Sequence, residues 1–402
     1  MVNRTLRKIL WFLLFLYLAA FPFGQLTKLP LSLPFPEIRI YATDVLVGVV
    51  VCMWAVGWVI GKKRNVAPFT KELLAFLAVA LFSLILNSPL FEGREVLVAS
   101  LYLIRVSAYV LFYFALSSVL ETAQEKKLLL SALIAVGSVL AVFGWAQYFL
   151  FPNIRPFIEF GWDEHLSRIV GTFLDPNFSA LLLVLAIVTL TFQLIKKTSV
   201  LISFLWIFVF VTLLFTYSRS GYLAFLVSMA ALSFLIKKPQ VFFISVILIF
   251  LGTVLLPRPG GEGVQLARTA SSIARVENWR EALSFTSDSP LFGVGFNTLR
   301  YVKERKGLLE EPYGPSHAAA GIDNSFLFVL ATTGIAGLVV FIALVTRFFR
   351  AAWETRTQEG NVLFVSLVAV VVHSLFLNSI FYSWVMGWMA VLLALTTRRK
   401  QG

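Results

Sequence analysis

The feature that most constrains this chain is a succession of long apolar runs separated by short polar segments. Hydrophobic residues make up 59% of its 402 residues and charged residues only 14%, whereas ordinary globular domains carry about 25% charged residues. Such a composition indicates lipid, not water, as the surrounding solvent. The sequence therefore predicts an all-α, polytopic membrane protein.

Twelve runs are predicted as transmembrane helices, because each approaches the roughly 17–25 residues that cross a bilayer. The predicted organisation has helices 1–9 in residues 1–256, one large loop in residues 257–323, and helices 10–12 in residues 324–402. The last two spans are almost contiguous, so they suit either two crossings or a re-entrant hairpin. The predicted spans are 9–23, 41–60, 72–90, 96–120, 128–151, 178–195, 200–217, 222–236, 241–256, 324–346, 362–379 and 381–397.

The large loop carries its own periodic pattern. Leu266, Ala270, Ile273, Val276, Trp279 and Leu283 recur at helical spacing. This spacing predicts an amphipathic helix of about five turns that lies on the membrane or over a cavity.

Lysine and arginine set the predicted orientation. With a cytoplasmic N-terminus, nineteen basic residues fall in inside segments and six in the short outside loops. Cytoplasmic loops carry the excess of positive charge in membrane proteins. Both termini are therefore predicted to be cytoplasmic, and the large loop to face the other side.

The outside basic residues are mostly arginines that topology does not require. Arginine binds phosphate through a planar, bidentate fork and keeps its charge, so these positions predict an anion site. Four outside segments hold the candidates: Arg168 and Asn177 in 168–177; Arg219 in 216–222; Arg268, Arg275, Trp279 and Arg280 in 268–297; and His317, Asp323 and Asn324 in 317–325.

Each segment also has a purely structural interpretation. Asp175 before Pro176 is typical of a helix N-cap followed by its first residue. The glycines in 293–295 favour a packing turn over phosphate binding. Asp323 suits either a cap of the tenth span or a general base, and His317 is a second candidate for the base.

Motifs for other chemistries are absent from the sequence. There is no pair of neighbouring aspartates of the kind that holds Mg²⁺, no Walker loop and no dinucleotide fingerprint. The three histidines are scattered and Cys52 is the only cysteine. We therefore expect a site without metal or cofactor, in which arginines neutralise phosphate charge.

Taken in order, the outside segments resemble the superfamily of O-antigen ligases and O-antigen polymerases, which are bacterial membrane glycosyltransferases. The resemblance covers roughly residues 168–340. Its motifs are Arg168…Gly171-Thr172-Phe173…Pro176-Asn177; Tyr217-Ser218-Arg219-Ser220-Gly221; Arg275…Trp279…Ala282…Pro290-Leu291-Phe292-Gly293-Val294-Gly295; Asp323-Asn324-Ser325-Phe326-Leu327; and Thr333-Gly334-Ile335-Ala336-Gly337-Leu338.

This resemblance implies a reaction at the periplasmic face of the bacterial cytoplasmic (inner) membrane. Superfamily enzymes pass a glycan from undecaprenyl diphosphate to an acceptor hydroxyl without a metal. The acceptor is lipid A-core for ligases, a second lipid-linked glycan for polymerases, and a protein hydroxyl for related enzymes. Membrane lipids are expected partners, and nucleic acid is not.

The resemblance also implies residue roles. Arg219 and Arg275 are expected to stabilise the diphosphate leaving group, followed by Arg168 and Arg280. Family ligases usually carry histidine before the asparagine of the fourth motif, where this chain has Asp323, so Asp323 and His317 are both candidates for the base. Asn177, Trp279 and Asn324 are expected to contact the diphosphate or the glycan.

Three alternatives stay open at this point. The first is a polymerase of lipid-linked repeat units. The second is a transporter or flippase of lipid-linked glycans, for which Arg105 and His373 are the ionisable residues inside spans. The third is a structural or assembly protein. The absence of an internal repeat and the polar residues gathered on one face favour an enzyme.

Overall fold

The computed structural model describes residues 4–30, 38–60, 67–156, 165–260, 262–267, 269–309 and 321–397. Throughout these ranges the regular elements are helices, with only two isolated β-bridges. The helices are α1 (Arg4–Ala20), α2 (Ala42–Ile60), α3 (Thr70–Asn87), α4 (Gly93–Val119), α5 (Ala123–Leu150), α6 (Pro176–Lys196), α7 (Val200–Leu214), α8 (Arg219–Ile236), α9 (Gln240–Leu255), α10 (Ala270–Asp288), α11 (Leu299–Arg305), α12 (Ser325–Thr355), α13 (Gln358–Ser374) and α14 (Ser383–Thr396).

Each predicted span coincides with one apolar helix. Eight helices are long and apolar enough to cross a membrane: α1 with the 3₁₀ turn that follows it, α2 to α6, α8 and α12. The other four, α7, α9, α13 and α14, have 14–17 residues. The all-α class and the multi-pass membrane character are confirmed, whereas twelve complete crossings stay a prediction.

Helix α6 is the centre of the bundle. Its residues from Ser179 to Leu190 are buried, and it packs against α5, α7, α8 and α13. Those neighbours shield its apolar side chains from lipid on every side. The first turn of α6 therefore lies among these helices at one end of the bundle.

The first residues of α6, α8 and α12 lie at this same end, which we call the site end. Ser218, the N-cap of α8, donates to Oδ1 of Asn177 in the first turn of α6 at 2.8 Å. Asn324, the N-cap of α12, donates to the carbonyl of Leu375, just beyond α13, at 3.0 Å. The helices thus bring segments that are far apart in sequence to one end of the bundle.

The predicted loop helix is α10, with 19 residues. Its buried face holds Ala282 and Phe285, whereas Ile273, Val276 and Leu283 are 56%, 43% and 51% exposed. The apolar positions therefore divide between contacts within the protein and a surface open to the surroundings. Contact of that surface with the membrane stays a prediction, as do the boundaries of the loop.

A kink in α12 receives the segment that follows α10. At Gly334 the helix breaks with φ 68° and ψ −168°, which leaves backbone groups on both sides of the kink without helical partners. Segment 290–295 supplies them: Val294 and Gly295 donate to the carbonyls of residues 331 and 332, and the amides of residues 335 and 336 donate to Pro290 and Leu291, all at 2.8–3.2 Å. The structural interpretation of 293–295 as a packing turn is therefore correct.

Replacing Gly334 with alanine is expected to destabilise the protein. A Cβ there would lie 2.3 Å from the backbone of Leu291, and the backbone conformation alone costs a residue with a side chain about 1–3 kcal/mol. Thermal unfolding of the purified protein in detergent measures the loss. Gly48→Ala is the matched control, since a Cβ at Gly48 in α2 has no atom within 4 Å among the described residues. An equal melting temperature for both variants would contradict the prediction.

Candidate functional site

Residues from α8, α10 and the segment after α13 enclose a cleft at the site end, with a volume of about 250 Å³. We call it the arginine cleft, because Arg219 from α8 and Arg275 from α10 line it together. Apolar side chains form much of the rest, so the cleft combines two cations with an apolar wall. The remaining lining residues are Ser220, Leu223, Ser272, Val276, Trp279 and Phe376.

The turn between α7 and α8 presents Arg219. Ser218 caps α8 by accepting a hydrogen bond from the amide of Gly221 at 3.2 Å, and Arg219 is the first helical residue. Amide groups at a helix N-terminus lack helical partners and favour an anion. The guanidinium of Arg219 also donates to Oγ of Ser272 at 3.1 Å and to the carbonyl of Leu266 at 3.4 Å, so it already bridges α8 to the large loop.

Arg168 stabilises this turn through hydrogen bonds to its backbone carbonyls. Its side chain is buried, and it donates to the carbonyls of Thr216 and Tyr217 at 2.9 and 3.3 Å. A buried backbone carbonyl needs such a partner, and a charged donor makes the bond stronger. The sequence predicted direct contact between Arg168 and substrate, and that contact stays a prediction; in the structure two donors of this side chain bond to the turn that carries Arg219.

Two side chains of α10 fix the backbone before α12. Asn278 donates to the carbonyl of Gly321 at 3.0 Å and accepts from the amide of Asp323 at 2.8 Å. Trp279 donates to the carbonyl of Asp323 at 3.4 Å. These bonds hold the Asp323 main chain beside α10. Sequence reasoning missed Asn278, because no local pattern distinguishes it from a solvated helix residue.

Lys303 completes the same junction. It is only 2% exposed, donates to the carbonyl of Gly321 at 3.0 Å and lies 2.8 Å from the carboxylate of Glu281 on α10. Lys303 is buried, whereas the side chain of Glu281 is 30% exposed, so the ion pair lies at the edge of the interior. The sequence analysis also missed Lys303, to which it assigned no role.

Burial and neighbouring charges perturb the carboxyl group of Asp323 at the site end. Burial raises the pKa of Asp323 to about 6; the charge of Arg275 opposes that rise and the charge of Asp175 adds to it. Burial, together with repulsion from Arg219, lowers the pKa of Arg275, yet arginine stays protonated at neutral pH. A carboxyl group with a pKa near 6 beside a cation suits a general base.

Asp175 and Asn177 both have structural roles in the first turn of α6. Asp175 caps the helix, accepting from the amides of Asn177 and Phe178 at 2.6 and 3.0 Å, which confirms the predicted cap. Burial raises the pKa of Asp175, whereas these bonds and the charges of Arg168 and Arg275 lower it. Asn177 accepts from Ser218, so it joins α6 to α8 behind the cleft.

The remaining predicted residues fall in different places. Asn324 is 7% exposed, and its Oδ1 caps α12 by accepting from the amides of residues 326 and 327 at 2.9 and 3.0 Å. Arg280 is exposed and is not among the residues that line the arginine cleft. His317 and Arg268 lie outside the described residues. No group of three His, Cys, Asp or Glu side chains in the described ranges could hold a metal ion; metal independence stays a prediction.

Arg105, which the sequence places inside a predicted span, forms an ion pair with a residue on a neighbouring helix. Its guanidinium lies 3.1 Å from the carboxylate of Asp44 in α2 and donates to the carbonyl of Arg39. Tyr109 donates to the same carboxylate at 3.2 Å. A paired charge of this kind joins α2 to α4.

Comparison with known proteins adds family information to this geometry. Residues 203–342 match a family model described as O-antigen ligase. The match includes Arg219, Arg275 and Asp323, whereas Arg168 and Asn177 lie before it. The predicted resemblance to the O-antigen ligase and polymerase superfamily is thereby confirmed.

A curated relative is the exopolysaccharide production protein ExoQ of Rhizobium meliloti (strain 1021). The two chains are 34% identical over 93 residues, which covers 21% of this chain and 21% of the relative. The alignment therefore spans about a fifth of the length of that protein, and it shows similarity to this part of it.

Proposed function

We propose, from the O-antigen ligase match and the arginine cleft, that this protein transfers a glycan from a lipid diphosphate carrier to an acceptor hydroxyl. The observation that carries the proposal is the convergence of Arg219, Arg275 and Asp323. Two arginines and one carboxyl group with a raised pKa come from three separate segments to one end of the bundle. Undecaprenyl diphosphate is the carrier that the resemblance implies.

The arginines would serve the leaving group. Transfer breaks the bond between the anomeric carbon and the terminal phosphate oxygen, and the electron pair of that bond stays on the diphosphate. Donors that are already in place where this charge develops are usually the largest contribution to catalysis. Arg219 and Arg275 line the same cleft, so together they can reach both phosphates, while the amides at the start of α8 add their dipoles.

The base would serve the acceptor. As the acceptor oxygen bonds to the anomeric carbon, its proton passes to the carboxylate of Asp323. A single direct displacement inverts the configuration at that carbon. Because Arg275 acts electrostatically on Asp323, the same cation links the base to the leaving-group site.

Apolar residues of the cleft fit the rest of such a donor. Trp279 and Phe376 lie with their ring centroids 6.5 Å apart, and Leu223 and Val276 extend the apolar wall. A lipid diphosphate glycan joins a charged group to a hydrocarbon chain and to sugar rings with apolar faces. A cleft that combines two arginines with aromatic and aliphatic side chains complements all three parts.

The proposed location is the bacterial cytoplasmic membrane, with both termini in the cytoplasm and the site end at the periplasmic face. The basic residues of the sequence support this orientation. For Arg168 we propose a supporting role, because it is buried and two of its donors bond to the α7–α8 turn. Arg280 and Asn324 are weaker candidates for substrate contact than the residues that line the cleft.

The choice of acceptor divides ligase from polymerase. Lipid A-core or a similar glycan is the acceptor in the ligase proposal, whereas a polymerase extends a second lipid-linked glycan. The similarity to a protein named for exopolysaccharide production is the observation that favours the polymerase as the second candidate.

Reconstitution into liposomes with lipid-linked repeat units as the sole glycan tests the proposal and separates the two enzymes. Longer carrier-linked chains are expected from a polymerase, whereas transfer that begins only when lipid A-core is added identifies a ligase. In the same assay, Arg347→Ala serves as the control for substitutions of Arg219 and Arg275. Arg347 is half-exposed, pairs with Glu72 and lies on the far half of α12. Movement of the lipid-linked glycan across the bilayer without any new glycosidic bond would identify a flippase and reject the proposal.

A further inference from the structure

We propose that His373 positions the turn that carries Arg219, and that a buried chain of hydrogen bonds holds its ring as the neutral Nε2–H tautomer. Nδ1 of His373 lies 2.6 Å from Oγ of Ser379, and Nε2 lies 3.2 Å from Oγ of Ser220. His373 and Ser379 are fully buried, and Ser220 is 4% exposed. The imidazole thus joins the start of α8 to the turn between α13 and α14.

The tautomer follows from assigning one proton to each hydrogen bond in this series. Oδ1 of Asn177 can only accept, so Ser218 must donate to it at 2.8 Å. Ser220 lies 3.2 Å from Ser218, and this contact is a hydrogen bond only if Ser220 donates. The proton of Ser220 is then used, so Nε2 of His373 must supply the proton between itself and Ser220.

The opposite tautomer makes one hydrogen bond fewer. With the proton on Nδ1, Ser220 would donate to Nε2, and its contact with Ser218 would have no proton. Ser218 would keep its bonds to Asn177 and Gly221, so the difference is one hydrogen bond between the two serines. The Nε2–H form instead makes every contact a hydrogen bond, with Ser379 donating to Nδ1.

This series of hydrogen bonds ends at the arginine cleft. Ser220 lines the cleft next to Arg219, and Ser218 caps the helix that begins at Arg219. Fixing the hydroxyl groups of both serines stabilises the first turn of α8, and hence the position of the Arg219 backbone from which the side chain reaches Ser272 and Leu266. His373 itself does not line the cleft, so its effect on transfer, which rests on the proposed function, acts through Ser220.

Two substitutions of His373 separate this role from simple packing. The amide nitrogen of glutamine reaches roughly the position of Nε2 and can donate to Ser220, whereas the shorter asparagine cannot reach it. We expect His373→Gln to keep most of kcat/KM and His373→Asn to lose roughly tenfold, the equivalent of one hydrogen bond. Ser374→Ala is the control: Ser374 is fully buried, and its hydroxyl has no partner among the described residues.

The tautomer can be measured without any transfer assay. The chain has three histidines, so ¹⁵N-histidine spectra of the protein in lipid can be assigned by single substitutions, and the ring nitrogen shifts distinguish the two tautomers. A proton on Nδ1, or a doubly protonated ring at neutral pH, would overturn the inference even if neither variant folded. Equal activity of folded His373→Gln and His373→Asn would also overturn it. If Arg219→Ala transfers normally, the proposed function fails instead, and the spectra still decide the tautomer.

Discussion

Replacing Arg219 or Arg275 with alanine is expected to lower the rate of glycan transfer by about 10²–10³-fold, the usual effect of removing one donor that stabilises developing charge. Both side chains line the arginine cleft. The reduction is expected in kcat as well as in kcat/KM, because charge grows on the diphosphate as the glycosidic bond breaks. Transfer from a purified lipid-linked donor, with kcat and KM measured separately, tests this expectation.

Lysine at the same positions distinguishes charge from geometry. An ammonium group restores the positive charge but not the planar fork that binds a phosphate through two parallel hydrogen bonds. We therefore expect Arg219→Lys and Arg275→Lys to recover only part of the lost rate. Arg347→Ala, which removes an exposed arginine on the far half of α12, should leave the rate unchanged. Full activity in both alanine variants would place the diphosphate elsewhere.

Most of the helical scaffold is predictable from sequence, because a span is a local property. Each apolar run is long enough by itself to satisfy its backbone hydrogen bonds within a helix, so the pattern needs no knowledge of neighbours. The kink in α12 is different. The backbone groups on both sides of Gly334 form hydrogen bonds with segment 290–295, about forty residues away in sequence. Neither local sequence pattern indicates that the other segment is its partner.

The candidate site divides in the same way. Arg219 could be predicted, since a tight turn needs a glycine but no arginine, and the excess charge was the signal. Arg168 gave the same signal, yet two of its donors bond to backbone carbonyls of the turn. Asn278 and Lys303 gave no signal, because their partners at residues 321–323 are 18–45 residues away. Sequence reasoning finds a charge that topology does not need, but it cannot tell a ligand from a carbonyl as its partner.

Asp323→Asn is expected to lower transfer by about 10²–10⁴-fold, the range that a positioned general base contributes. The pH dependence makes the test specific. Because the pKa of Asp323 is raised to about 6, kcat/KM should be independent of pH well above 6. Below 6 it should fall about tenfold per pH unit, as the base becomes protonated. Asp288→Asn is the control, since Asp288 is 56% exposed and pairs with Lys306 at the surface.

Asp175→Asn provides the sharper experiment on the same base. Asparagine caps a helix about as well as aspartate, so the bonds to the amides of residues 177 and 178 can persist, while the negative charge disappears. Because that charge raises the pKa of Asp323, its loss should move the acid limb of the pH profile to lower pH. If the limb stays in place, and His317→Ala rather than Asp323→Asn abolishes transfer, then the base is His317 and the raised pKa of Asp323 has no catalytic role.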